Sequence, residues 1–188
     1  MRLHRIIVAL TCACAMALAL TCFVGCAEKS DEQVIRDALA SELEGYKNHD
    51  AKAVAWFAED MDLEELAAFD VNAEDLARAY LDGFDYGIDD VVIEEDVAYA
   101  TVTITCKSYS SYLSILAEEK SSLLEYSATS KESASARAKA AGEVIVSALE
   151  RTEPATCPAL VIRYDRVDNT WKPAETALHD INMTMLSN

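Results

Sequence analysis

Val97-Ala98-Tyr99-Ala100-Thr101-Val102-Thr103-Ile104-Thr105-Cys106 is the stretch that decides the fold class. Ala98, Ala100, Val102, Ile104 and Cys106 alternate with Tyr99, Thr101, Thr103 and Thr105. A period of two puts successive side chains on opposite faces of a strand. One face is apolar and the other rich in threonine, as in an antiparallel sheet with one side on a core and the other toward water. Just upstream, Phe84, Tyr86 and Ile88 alternate with Asp85, Gly87 and Asp89, and Val91-Val92-Ile93 then breaks the parity. The slip near Asp89-Asp90 predicts a bulge or a strand restart. Glu94-Glu95-Asp96 supplies a turn, so the two runs read as an antiparallel hairpin.

Outward from the hairpin the period becomes 3.6. Ser30-Asp31-Glu32-Gln33 reads as a capping box, and Ile35, Leu39, Leu43 and Tyr46 extend a helix to about Asn48. Asp50 can cap a short helix carrying Val54, Trp56 and Phe57, and Leu63 and Leu66 suggest another turn or two. Asn72 with Asp75 opens a helix through Leu76 and Tyr80, with Gly83 as its stop. Beyond the hairpin, residues 109–126 are helical, with Tyr109, Tyr112, Leu113, Leu116 and Leu123 on one stripe. Ser127-Ala128-Thr129-Ser130 reads as a boundary before a second helix, from about Lys131, carrying Ala134, Ala138, Ala141, Ile145 and Leu149. Pro154 and Pro158 end that section. Leu160, Ile162 and Tyr164 mark a strand, Asp168-Asn169 a turn, and Thr170-Trp171 the returning strand; Glu175 to Leu186 is weakly helical. The expectation is one α+β domain over 30–188. Its N-terminal helices pack on an antiparallel β-sheet, and a helical hairpin is inserted between two β-hairpins.

The N-terminus has another composition. Arg2, His4 and Arg5 precede Ile6–Val24, which contains no charged residue. That order is the pattern of a secretory signal peptide over residues 1–25. It ends in Phe23-Val24-Gly25-Cys26, which resembles the bacterial lipobox, with Phe23 where an aliphatic residue is usual. The resemblance implies an acyl anchor of the palmitate kind on Cys26, with residues 26–29 as lipidated Cys and short tether. Of six cysteines, Cys12, Cys14 and Cys22 belong to the signal segment and Cys26 to the anchor. Cys106 and Cys157 remain, either as a disulfide in an oxidising compartment or as two separate buried thiols.

A second resemblance covers most of the remaining chain. Glu42-Leu43-Glu44-Gly45-Tyr46-Lys47-Asn48, Tyr80-Leu81-Asp82-Gly83-Phe84-Asp85-Tyr86 and Ile104-Thr105-Cys106-Lys107 look like a group of uncharacterised actinobacterial lipoproteins. The order of helices and sheet is also similar to cystatin-like and nuclear-transport-factor-like α+β folds. Proteins of that shape often hold a pocket between helix and sheet, which would make Trp56, Tyr80, Tyr86, Tyr99 and Trp171 candidate lining residues. Their periodicity equally suits plain core positions.

Charge narrows the function classes. Without Arg2 and Arg5 the chain holds 14 basic residues against 33 acidic ones, a formal charge of −19. Such a domain repels phosphate backbones, so no nucleic-acid partner is expected. His49 and His179 have no second His or Cys at metal-ligand spacing, and no Gly-x-Ser-x-Gly or His-Glu-x-x-His motif occurs. Asp60-Met61-Asp62-Leu63-Glu64 imitates a calcium loop, but Glu65 and Val71 stand where Gly and Glu are needed. No catalytic residue, metal or cofactor is therefore assigned. The sequence reads as a lipid-anchored domain on the extracytoplasmic face of the cell membrane that binds an envelope protein or a small ligand without catalysis. The alternatives are a pocketed enzyme using Asp/Tyr acid–base chemistry and a purely structural envelope component.

Overall fold

Why the alternating stretch forms a strand is plain from burial. In a computed structural model, which describes residues 29–60, 63–129 and 133–188, it lies within β2 (Val97–Lys107). Ala98, Ala100, Val102, Ile104 and Cys106 are all wholly buried, whereas Tyr99, Thr101, Thr103 and Thr105 are half-exposed. The predicted signal segment 1–25, Cys26 and residues 27–28 of the tether lie outside the described residues.

β1 (Asp85–Glu94) pairs antiparallel with β2, from Asp85 opposite Thr105 to Glu94 opposite Val97. Register shifts between Ile88 and Asp90, so the parity slip is a bulge at Asp89 within one continuous strand. The Asp89 carboxylate accepts from Thr103 Oγ1 at 2.6 Å, and Arg36 donates to the Ile88 carbonyl at 2.8 Å. On its other edge β2 pairs first with β4 (Leu160–Val167) along Val97–Val102, then with β3 (Pro154–Thr156) along Thr105–Lys107. β5 (Thr170–Pro173) completes the antiparallel sheet beside β4. Asp168 and Asn169 both have positive φ, 51° and 59°, the backbone of a two-residue hairpin turn whose twist matches its strands. β3 corrects the reading of Pro154 as a breaker only. Proline is tolerated at the first residue of an edge strand, where the ladder does not need its missing N–H.

Four helices precede the sheet: α1 (Asp31–Lys47), α2 (Ala51–Glu59), α3 (Leu63–Ala68) and α4 (Ala73–Leu81). Ile35, Leu39, Leu43 and Tyr46 of α1 are buried, as their spacing requires. The Asn72 side chain accepts from the Asp75 N–H at 3.0 Å, and Gly83 takes φ 81° just beyond α4. Asp50 holds the N-cap position of α2 without a side-chain capping bond. α5 (Tyr109–Thr129) and α6 (Ala134–Glu150) pack together as the inserted helical hairpin. The expected boundary is displaced: α5 continues through Ser127, Ala128 and Thr129, and Ser133 caps α6 by accepting from the Ala136 N–H at 3.2 Å. Ser and Thr inside a helix cost only a few tenths of a kcal/mol per residue and Ala nothing, too little to end it. α7 (Ala177–Met185) closes the domain.

The result is an α+β architecture with α1, α4 and α7 on the inner face of the sheet and α6 packed on α4. The opposite face presents Val92, Tyr99, Val161 and the Arg163–Asp165 ion pair (2.7 Å) to solvent. No described helix is long and apolar enough to cross a membrane.

Candidate functional site

The residues with the most distinctive chemistry meet at the far end of β2. Alternation sends Cys106 to the inner face, in line with Val102 and Ile104. On the neighbouring edge, the Cys157 N–H donates to the Ile104 carbonyl at 2.8 Å, continuing the β3 ladder by one residue. Cys157 thus faces Ile104 and lies diagonal to Cys106, within reach of it across the strands. Both are free thiols, buried, with their sulfurs 3.6 Å apart.

Asn188 completes the cluster. Its side-chain Nδ2 donates to Cys106 Sγ at 3.3 Å and to Cys157 Sγ at 3.2 Å. Its Oδ1 accepts from the Tyr109 N–H at 2.6 Å, and its backbone carbonyl accepts from the Ser110 N–H at 2.9 Å. The first N–H groups of a helix have no partner within the helix. Asn188 therefore serves as a cap for α5 supplied from 79 residues away, while Ser108 Oγ takes the Ser111 N–H at 3.3 Å. Beside it, the buried Lys107 ammonium donates to the Thr152 carbonyl at 3.0 Å, near the C-terminal end of α6 where cations are favoured. Hydrogen bonding from Cys106 and from Asn188 holds the Cys157 thiol below its usual range, against the opposing effect of burial. Its bond to Cys157, then burial, pushes Cys106 up. Asn188 bonds the two sulfurs almost equally, and Cys106 is the more deeply held residue of the pair.

A second polar chain runs through α7. Tyr46 Oη donates to Asn182 Oδ1 at 2.9 Å, and Asn182 Nδ2 donates to Asp60 Oδ2 at 2.7 Å. The other Asp60 oxygen lies 3.3 Å from His179 Nδ1, which is exposed. Burial, foremost, pushes the Tyr46 hydroxyl far above its ordinary range. Tyr80, whose hydroxyl donates to the Met185 carbonyl at 2.8 Å, is raised chiefly for the same reason.

The five aromatic candidates do not come together around one space. Tyr80 is buried with its ring 5.1 Å from Phe57. Trp56 is half-buried under the Lys52 ammonium, 4.1 Å above its ring. Tyr86 reaches α1, donating to Glu44 at 2.9 Å, and burial with that bond brings it up to about 12. Trp171 is buried beneath the Arg166 guanidinium, 4.6 Å from its ring centre. Tyr99 sits opposite Val92 and Arg163 on the outer face, so the sheet separates it from the helical layer. Among the described residues no group of three or more His, Cys, Asp or Glu side chains could hold a metal ion. Met61 and Asp62 of the calcium-like stretch lie outside the described residues.

Sequence reasoning placed Cys106 on the inner face but missed Asn188 and Asn182. Asn182 left a signal, a polar residue on the buried stripe of Ala177, Ile181 and Met185. Asn188 left none, because its partners are 79 and 31 residues away. Compared with known proteins, the chain matches no family model, no curated protein and no solved structure.

Proposed function

We propose that this chain is a lipid-anchored lipoprotein of the bacterial cell envelope, of the actinobacterial kind it resembles, whose domain is a non-enzymatic binding module on the extracytoplasmic face of the membrane. The observation that carries the reading is the charge-free run Ile6–Val24 ending at Gly25-Cys26. Only residues 27–30 separate Cys26 from α1, a reach of about 14 Å when extended. The domain then works close to the bilayer. Its acidity repels anionic headgroups, so acyl chains supply the attachment.

Binding is preferred to catalysis because the phenols nearest an acid–base role are engaged: Tyr46 on Asn182 and Tyr80 on Met185. A general base needs a positioned partner and access to substrate. Asp60, in contact with His179 and linked through Asn182 to Tyr46, is the arrangement among the described residues that favours the Asp/Tyr enzyme as a second reading. Fractionation of cells expressing the full chain tests the anchor. Wild type should partition with membranes and Cys26→Ala should be released; a variant that stays membrane-bound would defeat the proposal. The binding role is tested with the membrane-held protein as bait for envelope proteins and in thermal-shift screens of small molecules. If neither yields a partner, the module reading fails and a structural component stands in its place.

A further inference from the structure

We propose that Cys106 and Cys157 form a thiol–disulfide exchange site, in which Cys157 accepts an incoming disulfide donor, Cys106 resolves it, and Asn188 latches the reduced pair. Three observations place it. Both thiols are free and 3.6 Å apart, so the sulfurs need to approach by about 1.5 Å to reach bonding distance. Cys106 belongs to the central strand, paired on both edges, whereas Cys157 follows the three-residue β3, which pairs only with β2. The movement therefore falls to Cys157. Cys157 is also the less buried of the two residues, 4% exposed against 0% for Cys106, and the hydrogen bonds from Cys106 and Asn188 favour its thiolate.

The donor is a small-molecule or protein disulfide. The Cys157 thiolate attacks one donor sulfur, forming a mixed disulfide and expelling the first donor thiolate. Cys106 then loses its proton to that released thiolate and attacks Cys157 Sγ, expelling the second. Two electrons pass from the cysteine pair to the donor, which leaves as two thiols. In the reduced state Asn188 Nδ2 bridges both sulfurs while Oδ1 caps α5. Closing the S–S bond draws Cys157 Sγ by about 1.5 Å out of its present position against Asn188 Nδ2. Oxidation thus loosens Asn188 and with it the first turn of α5, so the redox state of the pair is read out at the start of the helical hairpin.

The test uses the full chain as expressed, whichever fraction it partitions to, oxidised glutathione as donor, and differential alkylation read by mass spectrometry on the Cys106 and Cys157 peptides. Wild type should give a Cys106–Cys157 cross-linked peptide, reversible by dithiothreitol without denaturant. Amide exchange around residues 108–112 should rise on oxidation. Cys106→Ser should accumulate glutathione on Cys157, and Cys157→Ser should acquire it on Cys106 roughly tenfold more slowly. Free thiols persisting in wild type under excess oxidised glutathione would overturn the site. So would a bridge complete on isolation that resists native reduction, or equal adduct rates on the two single variants. The wild-type cross-link does not depend on either variant folding, and no step depends on the anchor at Cys26.

Discussion

Asn182 and Gly142 show how much a single residue can carry. Asn182 is 2% exposed and links the Tyr46 hydroxyl to Asp60. Replacing it with Leu keeps the volume but leaves a buried phenol without its acceptor, a loss of about 1–3 kcal/mol in urea unfolding. Adding Tyr46→Phe should recover part of that loss, because both polar groups are then gone; strict additivity of the two changes would contradict the coupling. At Gly142 a Cβ would stand 2.2 Å from the Phe69 carbonyl and 3.0 Å from Val71 Cγ2. Ala is the better helix former, yet the backbone contact dominates, and Gly142→Ala should lower stability by about 1–3 kcal/mol. A stabilised alanine variant would show that α6 can back away from the Phe69–Val71 segment. Neither effect is visible in sequence, where Asn182 is one polar residue in a weak helix and Gly142 one small residue in an alanine-rich one.

At the scale of elements, local chemistry and packing can be separated. The Asn72 cap acts within one turn, so Asn72→Ala should cost about 1 kcal/mol and leave the rest of the fold unchanged, as thermal unfolding would report. The β1–β2 turn is less well suited to its residues. Glu95 is held at φ 57°, where a Cβ is disfavoured. Glu95→Gly should therefore raise stability by about 0.5–1 kcal/mol, and a fall in the denaturation midpoint would contradict this. The strong patterns of α1, β2 and the β1–β2 hairpin were legible because each side chain's burial follows from its own periodicity. β3 was not legible. Three residues carry no period, and Pro154–Thr156 are a strand only because β2 extends past the end of β4 and offers them an edge.

For the whole molecule, buried phenols set an alkaline limit. Burial, foremost, pushes Tyr164 up to about 12 from an ordinary 10.0. Above pH 10 the unfolded chain then gives up its phenolic proton before the folded one does. The folded state holds more protons, so stability falls as pH rises. Urea midpoints should be unaffected by Tyr164 below pH 10 and decline as pH climbs from there toward about 12. The share of the phenolate absorbance that belongs to the buried Tyr46, Tyr80 and Tyr164 should appear late, together with unfolding; early titration of every tyrosine would refute the account. The thiol pair sets a second global quantity. Cys106 and Cys157 are 51 residues apart and bracket the helical hairpin. A bridge between them should add roughly 4 kcal/mol by restricting the unfolded chain, seen as a higher midpoint for the oxidised protein.

What the sequence determined alone was whatever depends on near neighbours. The charge-free segment before Cys26 and the acidity need no fold to be read, and the periods of α1 and β2 already say which faces are apolar. Tertiary structure decided what depends on distant parts of the chain. It laid β3 along β2, so that Cys157 stands beside Cys106, and it carried Asn188 across to their sulfurs and to the start of α5. The physical reason is that periodicity encodes burial, which each residue satisfies separately, whereas a hydrogen-bonded cluster requires several segments to arrive at one point. No residue's own neighbours in sequence record that meeting.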